Sequence, residues 1–467
     1  GTERSTYRFG PDGALLEATN EAATVLVERD ARGHVVREVQ QGVTVNSTYD
    51  QLGQRLALRS SLGADLTITR NALGDAIQLQ SGSWFSHLGR DARGLEMQRT
   101  HSNGVHTSWQ RDALGRPTSQ HLVVKSRAGK ADEQRTRRHE WQGLTQLLAT
   151  SDTELGETRY RYDAVGNLLA SQHSDGSPEI RQPDVDSLFQ TAPLAARSAP
   201  KSSRQRTSNG TRYRYDEEGN LVQKKLPTGE AWHYQWNGAG YLVGVTLPNG
   251  YTVAFTYDAL GRRVSKQYRG KATRWVWDGD KLLHEWTELA LGAGPQGVTD
   301  LITWLFEDNS FAPLAKLTAQ GNYQSVTCDY LGTPLALHDE RGQLRWAAQY
   351  TSTGLVQRGR GNAADCPFRY QGQYEDVETG LYYNRFRYYS PEEGSYLSQD
   401  PIKLAGGLNL YAYVPNPNLE LDVFGLSAGH TFPTWMATRQ GYQRHHIIPH
   451  SLRNHPIMQR SGMNINS

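Results

Sequence analysis

Apolar and polar residues alternate in short runs that end in an acid or an amide. Tyr160-Arg-Tyr162 leads into Asp163, Tyr213-Arg-Tyr215 into Asp216, and Phe255-Thr-Tyr257 into Asp258. A period of two puts both rings of a run on one face of a β-strand. The Asp or Asn that follows bonds its own backbone and starts a turn, and a Gly three residues on takes the positive-φ position. This signal recurs at Asp30, Asp50, Asn71, Asp91 and Asp112, in steps of 20, 21, 20 and 21 residues. Gly10–Gly13 precedes the series by another 20 residues, with Gly in place of Asp. The signal returns at Asp163, then at Asp216, Asn237 and Asp258 in steps of 21 and 21. A second strand follows each turn, as in Asn220–Leu226, and a second turn such as Pro227-Thr-Gly229 or Pro248-Asn-Gly250 closes the unit. A single hairpin cannot bury a core, but a stacked or spiralling ribbon of hairpins can. The pattern therefore predicts an all-β chain built on one long, curled antiparallel sheet. The period breaks over 116–160 and 174–212, and Ala192–Ser208, rich in Ala, Ser, Pro and Arg, reads as a loop.

Composition agrees with many short strands. The 467 residues include 24 Tyr, 11 Trp and 46 Gly, which suits aromatic-faced strands joined by Gly turns. Two cysteines, Cys328 and Cys366, are too few for a disulfide framework or a zinc cluster. A formal net charge of +2 excludes the chain as a whole from binding nucleic acid by bulk charge. No apolar run approaches the ~20 residues that a membrane helix needs. Gly1 opens directly in repeat-like text with no signal peptide, so the sequence reads as starting inside a longer natural chain. The charge is uneven. The 41 residues after Leu426 hold four Arg, five of the 15 His, and no Lys, Asp or Glu. A basic, His-rich tail after a faintly acidic body points to a second functional unit that meets nucleic acid.

From Trp275 the text changes. Trp275-Val-Trp277-Asp278-Gly279, Asp329–Gly332 and Asp339–Gly342 are followed by Gly380–Pro391, Gly394–Pro401 and Gly407–Pro417. With the repeats, this succession resembles the Rhs/YD-repeat family of polymorphic toxins, and its last part the Rhs-associated core module. The resemblance covers nearly the whole chain. It implies a hollow β-shell around a toxic C-terminal segment. The YD-repeat shell would occupy 1–290, the core module, a C-terminal plug with the junction, 291–426, and the start of the toxin 427–467. Around Asn384 the residues read as one strand, with Arg385 and Arg387 sharing a face with Tyr383 and Tyr389, either as a stacked Arg–Tyr wall, the reading favoured, or as a positive lining near an acidic site.

The family's junction reads N-P-x-x-x-x-D-P-x-G-L, and this chain has Asn416-Pro417-Asn-Leu-Glu-Leu-Asp422-Val423-Phe424-Gly425-Leu426. The resemblance implies self-cleavage after Leu426, at Leu426–Ser427, by an aspartic-protease pair carried over to Asp400 and Asp422. Two neighbouring carboxyls do not both ionise easily, so one proton is shared. The ionised member takes a proton from water, and the protonated one bonds the scissile carbonyl and gives its proton to the leaving amine. Two positions depart from the family text: Val423 stands where Pro is usual and Lys403 where Gly is usual.

In the tail, Arg444-His445-His446-Ile447-Ile448-Pro449-His450 resembles the start of an HNH-type ββα-metal nuclease with a doubled His. By position His445 would ligate a divalent metal (Mg, Mn or Zn), and His446 would be the general base that activates water. His450 and His455 are weaker candidates. The family's downstream Asn and further His are not recognisable before Ser467. The autoproteolytic step needs no cofactor. The expectation is an antibacterial effector delivered by a contact-dependent apparatus such as type VI secretion. It would be made in the bacterial cytoplasm and delivered into target cells, where it hydrolyses nucleic acid. A cognate immunity protein and a secretion spike, adaptor or chaperone are the implied partners. The alternatives are a structural or adhesive YD-repeat surface protein and the shell subunit of an insecticidal toxin complex.

Overall fold

The computed structural model describes residues 4–125, 131–174, 178–180, 204–208, 210–289 and 300–426. These residues form a 17-stranded, a 15-stranded and a 4-stranded sheet. In both long sheets each strand pairs antiparallel with its neighbour in sequence, from Thr6–Phe9 to Pro178–Ile180 and from Arg204–Ser208 to Val356–Arg360. Among the described residues the only helical turns are Ala363–Asp365 and Lys403–Gly406. The break expected over 116–160 is a lengthening of hairpins, because Pro117–Lys125 and Ala131–Gln142 continue the first sheet. Strand Arg204–Ser208 falls inside the stretch read as a loop. The second sheet also runs on past residue 290, where the resemblance placed a boundary, because Lys281–Leu289 pairs with Ile302–Phe306.

The turns follow one design. Asp258 Oδ1 accepts from the amides of Leu260 and Arg262 at 3.0 and 2.8 Å, and Gly261, at φ +77, donates to the Asp258 carbonyl. The register shifts at the preceding residue, between Thr256 and Tyr257, so a bulge accompanies this turn, whereas the alternate turns at Gly229 and Gly250 join strands without one. The residue just before the turn then reaches back one repeat. Tyr257 Oη donates to the Leu242 carbonyl at 2.5 Å, Tyr162 Oη to Leu147, Tyr350 Oη to Pro334 and Tyr49 Oη to Val35. Trp236 and Trp277 do the same through the indole N–H, to Leu221 and Arg263, and Arg70, Arg90 and Arg111 through the guanidinium, to Arg55, Ala76 and Glu96. Each acceptor lies at the start of the strand after the previous turn, and Leu242, the first residue of its strand, has no place in the ladder with the following strand. A carbonyl without a ladder donor is costly to bury, and the long polar-tipped side chain supplies the donor.

The two long sheets stack in the same sense. Val43, Val45, Leu58, Leu66, Ile68, Leu79 and Trp84 of the first form one buried cluster with Val276, Leu283, Trp286, Leu305 and Leu314 of the second. Polar links follow the same order along the chain: Gln40 Nε2 to the Trp277 carbonyl, Arg55 to Asp278, Ser60 to His284, Trp84 Nε1 to Ser325 and Asn103 to the His338 carbonyl. Trp275 and Trp277 point the other way and join Tyr383, Tyr388, Leu397 and Tyr411 of residues 363–426. Period-two alternation thus buries both faces of the second sheet, one on the first sheet and one on a C-terminal plug.

Replacing Tyr350 by Phe keeps the ring and leaves the Pro334 carbonyl without its donor. The expected cost is about 1–3 kcal/mol, read as a lower urea midpoint at unchanged slope. A second expectation concerns acid. Burial pushes His101 and His139 down to about 3 and His284 down to about 4. Unfolded histidine titrates near ~6.5, so below that pH the unfolded chain binds protons that the folded one refuses. Stability is therefore full above about pH 6.5 and falls as the pH drops towards the folded values. Thermal melting across that range should show the decline, and His139→Gln should flatten it.

Candidate active site

The middle strands of the plug's small sheet are Leu381–Asn384 and Arg387–Ser390, joined by Arg385 and Phe386. Arg385 sits at φ +54, so the run around Asn384 is a hairpin and not one strand. The two arginines therefore part company. Arg385 turns outward from the plug to Asp280 Oδ1 at 2.7 Å and to the carbonyls of Gly261 and Leu260. Arg387 turns inward, to the acidic pair, and is more than wall stacking. Its Nη2 lies 3.1 Å from Asp400 Oδ2 and 3.4 Å from Asp422 Oδ2. Its Nη1 donates to the Leu410 carbonyl at 2.9 Å, its Nε bonds the Gly425 carbonyl, and the guanidinium lies 3.7 Å over the Tyr396 ring. Arg387 and Asp400 are fully buried. Two carboxyls removed from water need such a partner, since an unpaired buried charge costs several kcal/mol.

Local turns place the two aspartates. Asp400 Oδ1 accepts from the Ile402 amide at 2.9 Å and its carbonyl from the Lys403 amide at 2.9 Å. Lys403 stands at φ +55, which gives the physical reason for Gly at this point of the resembled family's text. Asp422 begins the loop that carries the junction. Its Oδ1 accepts from the Leu426 amide at 2.8 Å and its Oδ2 from the Tyr396 hydroxyl at 2.8 Å. Asn384 Nδ2 donates to Tyr396 Oη at 2.7 Å and to the Asp422 carbonyl at 2.8 Å. The Phe386 amide holds the Phe424 carbonyl, and Val423, Phe424 and Leu426 are all buried. Burial pushes the Asp422 carboxyl up, while Arg387, the Leu426 amide and the Tyr396 hydroxyl pull it back.

Close backbone approaches complete the site. Gly425 has φ +68, and a Cβ there would come 2.6 Å from the Asn384 carbonyl oxygen. A Cβ on Gly372 would come 2.1 Å from the Val423 carbonyl oxygen. The structure thus brings together Asp400, Asp422 and Leu426, three of the residues named from sequence. It adds Tyr396 and Asn384 as contacts that no spacing in the sequence announced, and it gives Arg387, but not Arg385, the role of a positive lining at the acidic pair. Ser427, His445, His446, His450 and His455 lie outside the described residues, as does the proposed nuclease segment. Among the described residues no group of three His, Cys, Asp or Glu is placed to hold a metal, and no helix is long and apolar enough to cross a membrane.

Gly425→Ala should unsettle the junction loop, through left-handed strain of about 1–2 kcal/mol plus the clash with Asn384. A lowered melting temperature would show it, whereas Gly380→Ala, at a positive φ with open space around it, tests the strain alone.

Comparison with known proteins places this architecture. A family model described as teneurin YD-shell matches residues 92–417. The chain is 29% identical over 458 residues to "Double-stranded DNA deaminase toxin A" of Burkholderia cenocepacia, covering 90% of this chain and 31% of that protein. It is 31% identical to "Toxin protein Tse5" of Pseudomonas aeruginosa, covering 90% of this chain and 37% of that one. It is 29% identical to "Probable deoxyribonuclease RhsB" of Dickeya dadantii, covering 88% and 30%. The chain therefore spans about a third of the length of these relatives. Among solved structures, the crystal structure of TcdB2-TccC3-Cdc42 aligns with a TM-score of 0.66 at 18% identity, over 90% of this chain and 25% of that one. The Photorhabdus luminescens Tc holotoxin pore aligns with a TM-score of 0.66 over 94% and 25%.

Proposed function

Because the chain belongs to the teneurin YD-shell family, we propose that it is the shell of an Rhs-type bacterial toxin and that it cuts itself after Leu426. Relatives whose names are toxins, at about 30% identity over most of this chain, support the class of protein. One observation carries the self-cleavage. Asp400 and Asp422 are buried on a single guanidinium, and Asp422 holds the amide of Leu426, the residue whose carbonyl would be attacked.

The reaction is hydrolysis of the Leu426–Ser427 peptide. The ionised aspartate takes a proton from water as the water oxygen bonds to the Leu426 carbonyl carbon. The protonated partner then gives its proton to the Ser427 nitrogen as the C–N bond breaks. Gly425 lets the backbone fold over Arg387, and Arg387 keeps both carboxyls at the same place. Valine at 423 is β-branched and favours extended backbone, so it substitutes for the family's Pro without removing the bend.

The segment released would be the start of a nuclease of the doubled-His HNH type, with His445 holding a divalent metal and His446 acting as base. Its basic, acid-free composition suits a polyanion. The whole protein would be made in the bacterial cytoplasm and delivered into target cells by a contact-dependent system such as type VI secretion. Its implied partners are a secretion spike or adaptor and a cognate immunity protein.

Intact mass of the denatured protein, beside an Asp422→Ala control, tests the cleavage. Two species that split at Leu426–Ser427, with one species in the control, are expected. One uncut species in both would overturn it.

A further inference from the structure

Asp422 is surrounded by donors. Its Oδ1 receives the Leu426 amide and its Oδ2 the Tyr396 hydroxyl, with Arg387 Nη2 beside Oδ2. The Tyr396 hydroxyl has one proton, and its direction is fixed from outside. Asn384 Nδ2 can only donate, and it donates to Tyr396 Oη at 2.7 Å. The phenolic proton is left to point at Asp422. The ring cannot swing away either, because Arg387 covers one side at 3.7 Å and Tyr389 and Tyr413 pack around it. Tyr396 is 1% exposed, in a strand of the plug that no part of the expected aspartate chemistry uses.

We propose that Tyr396, oriented by Asn384, is a positioning residue that holds the Asp422 carboxyl at the junction and favours its ionised form. This rests on the reading of the junction as a self-cleaving site. Burial raises the Asp422 carboxyl and the Tyr396 hydroxyl is one of the donors that lower it, so the hydroxyl favours the carboxylate, whose remaining lone pairs can take a proton from water. The hydroxyl itself stays protonated, since burial pushes it well above the ordinary tyrosine value. The groups that face Asp422 are Arg387 from the plug hairpin, Tyr396, Asp400 and Tyr413. Of these, Tyr396 is the one whose hydrogen bond can be removed without changing a charge or the ring that covers Arg387.

The test follows cleavage during cell-free synthesis of the full chain, in a series of buffered pH values, by the ratio of cut to uncut mass. Tyr396→Phe should slow cleavage by roughly ten- to a hundred-fold, the worth of one hydrogen bond to a charged group. It should also move the acid limb of the rate profile to higher pH, because an Asp422 carboxylate with one donor fewer takes up its proton more readily. Fluorinated tyrosine at 396 keeps the shape, donates more strongly and should move the limb to lower pH. This second variant decides the case should the Phe variant fail to fold. Asn384→Leu should resemble Tyr396→Phe. If the parent chain cleaves and both Tyr396 variants keep its rate and its pH profile, the positioning role is overturned while the self-cleavage reading stands. If the parent chain never cleaves, both fall together.

Discussion

Bulges in the long sheets leave a residue at the start of the next strand outside the following ladder, as at Val35, Leu242 and Pro334, and its carbonyl oxygen needs another donor. Hydrogen-bonding that oxygen constrains the whole wall. At most of these turns the preceding residue is long, reaches back one repeat and ends in a donor, whereas Phe9 and Phe306 stand at the same position without one. Tyr257, Trp236 and Arg70 meet those conditions with unlike chemistry, and Cys328 does so weakly through Sγ at 3.4 Å. The aromatic residues that make the sequence look like a strand are therefore also the fasteners between repeats. Their rings cover the sheet while their polar ends close the backbone account.

The same rule governs the plug, with charge added. Once Asp400 and Asp422 are taken out of water, every group near them is committed. Arg387 spends its donors on two carboxylates and on the carbonyls of Leu410 and Gly425. Asn384 spends its amide on Tyr396 and on the Asp422 backbone. The plug in turn leans on the second sheet through Arg263, which pairs with Asp376 and lies 4.1 Å from the Trp275 ring and 4.5 Å from that of Tyr383. The wall that carries the plug thus also fixes the hairpin from which Arg387 projects, and the junction inherits its geometry from strands more than a hundred residues away, such as Arg263 from Tyr388.

Much of this was legible in the chain. The step of 20 or 21 residues between turn signals gave the strand count its rhythm, and positive φ at Gly33, Gly53, Gly74, Gly94 and Gly115 follows those signals residue by residue. The stretch Asn416–Leu426 and the text around Asp400 were legible as a unit because both sit in a recognisable module. What stayed hidden depends on distance and direction. A run of text such as Asn384-Arg-Phe-Arg387 reads equally well as a strand or a tight hairpin, and only the left-handed backbone at Arg385 separates the two arginines. Tyr396 looked like one aromatic among 24 tyrosines, since nothing local shows that its hydroxyl meets a carboxyl 26 residues later. The arginines that stand where others have Tyr or Trp were hidden by habit of class, because a pattern of hydrophobic faces does not group a guanidinium with an indole.

The backward reach of each fastener, about 15 residues, has a bearing on how such walls change over generations. A side chain that engages only the unit before it carries no memory of how many units came earlier. Whole hairpin pairs can be duplicated, deleted or exchanged by recombination, and the new neighbours still find acceptor and donor in place. A crossover within a unit is different, for it strands a donor on one side and an oxygen on the other. The fasteners alone set no repeat number, whereas the links between the sheets, such as Arg55 with Asp278 and Trp84 with Ser325, tie each repeat of one wall to a repeat of the other.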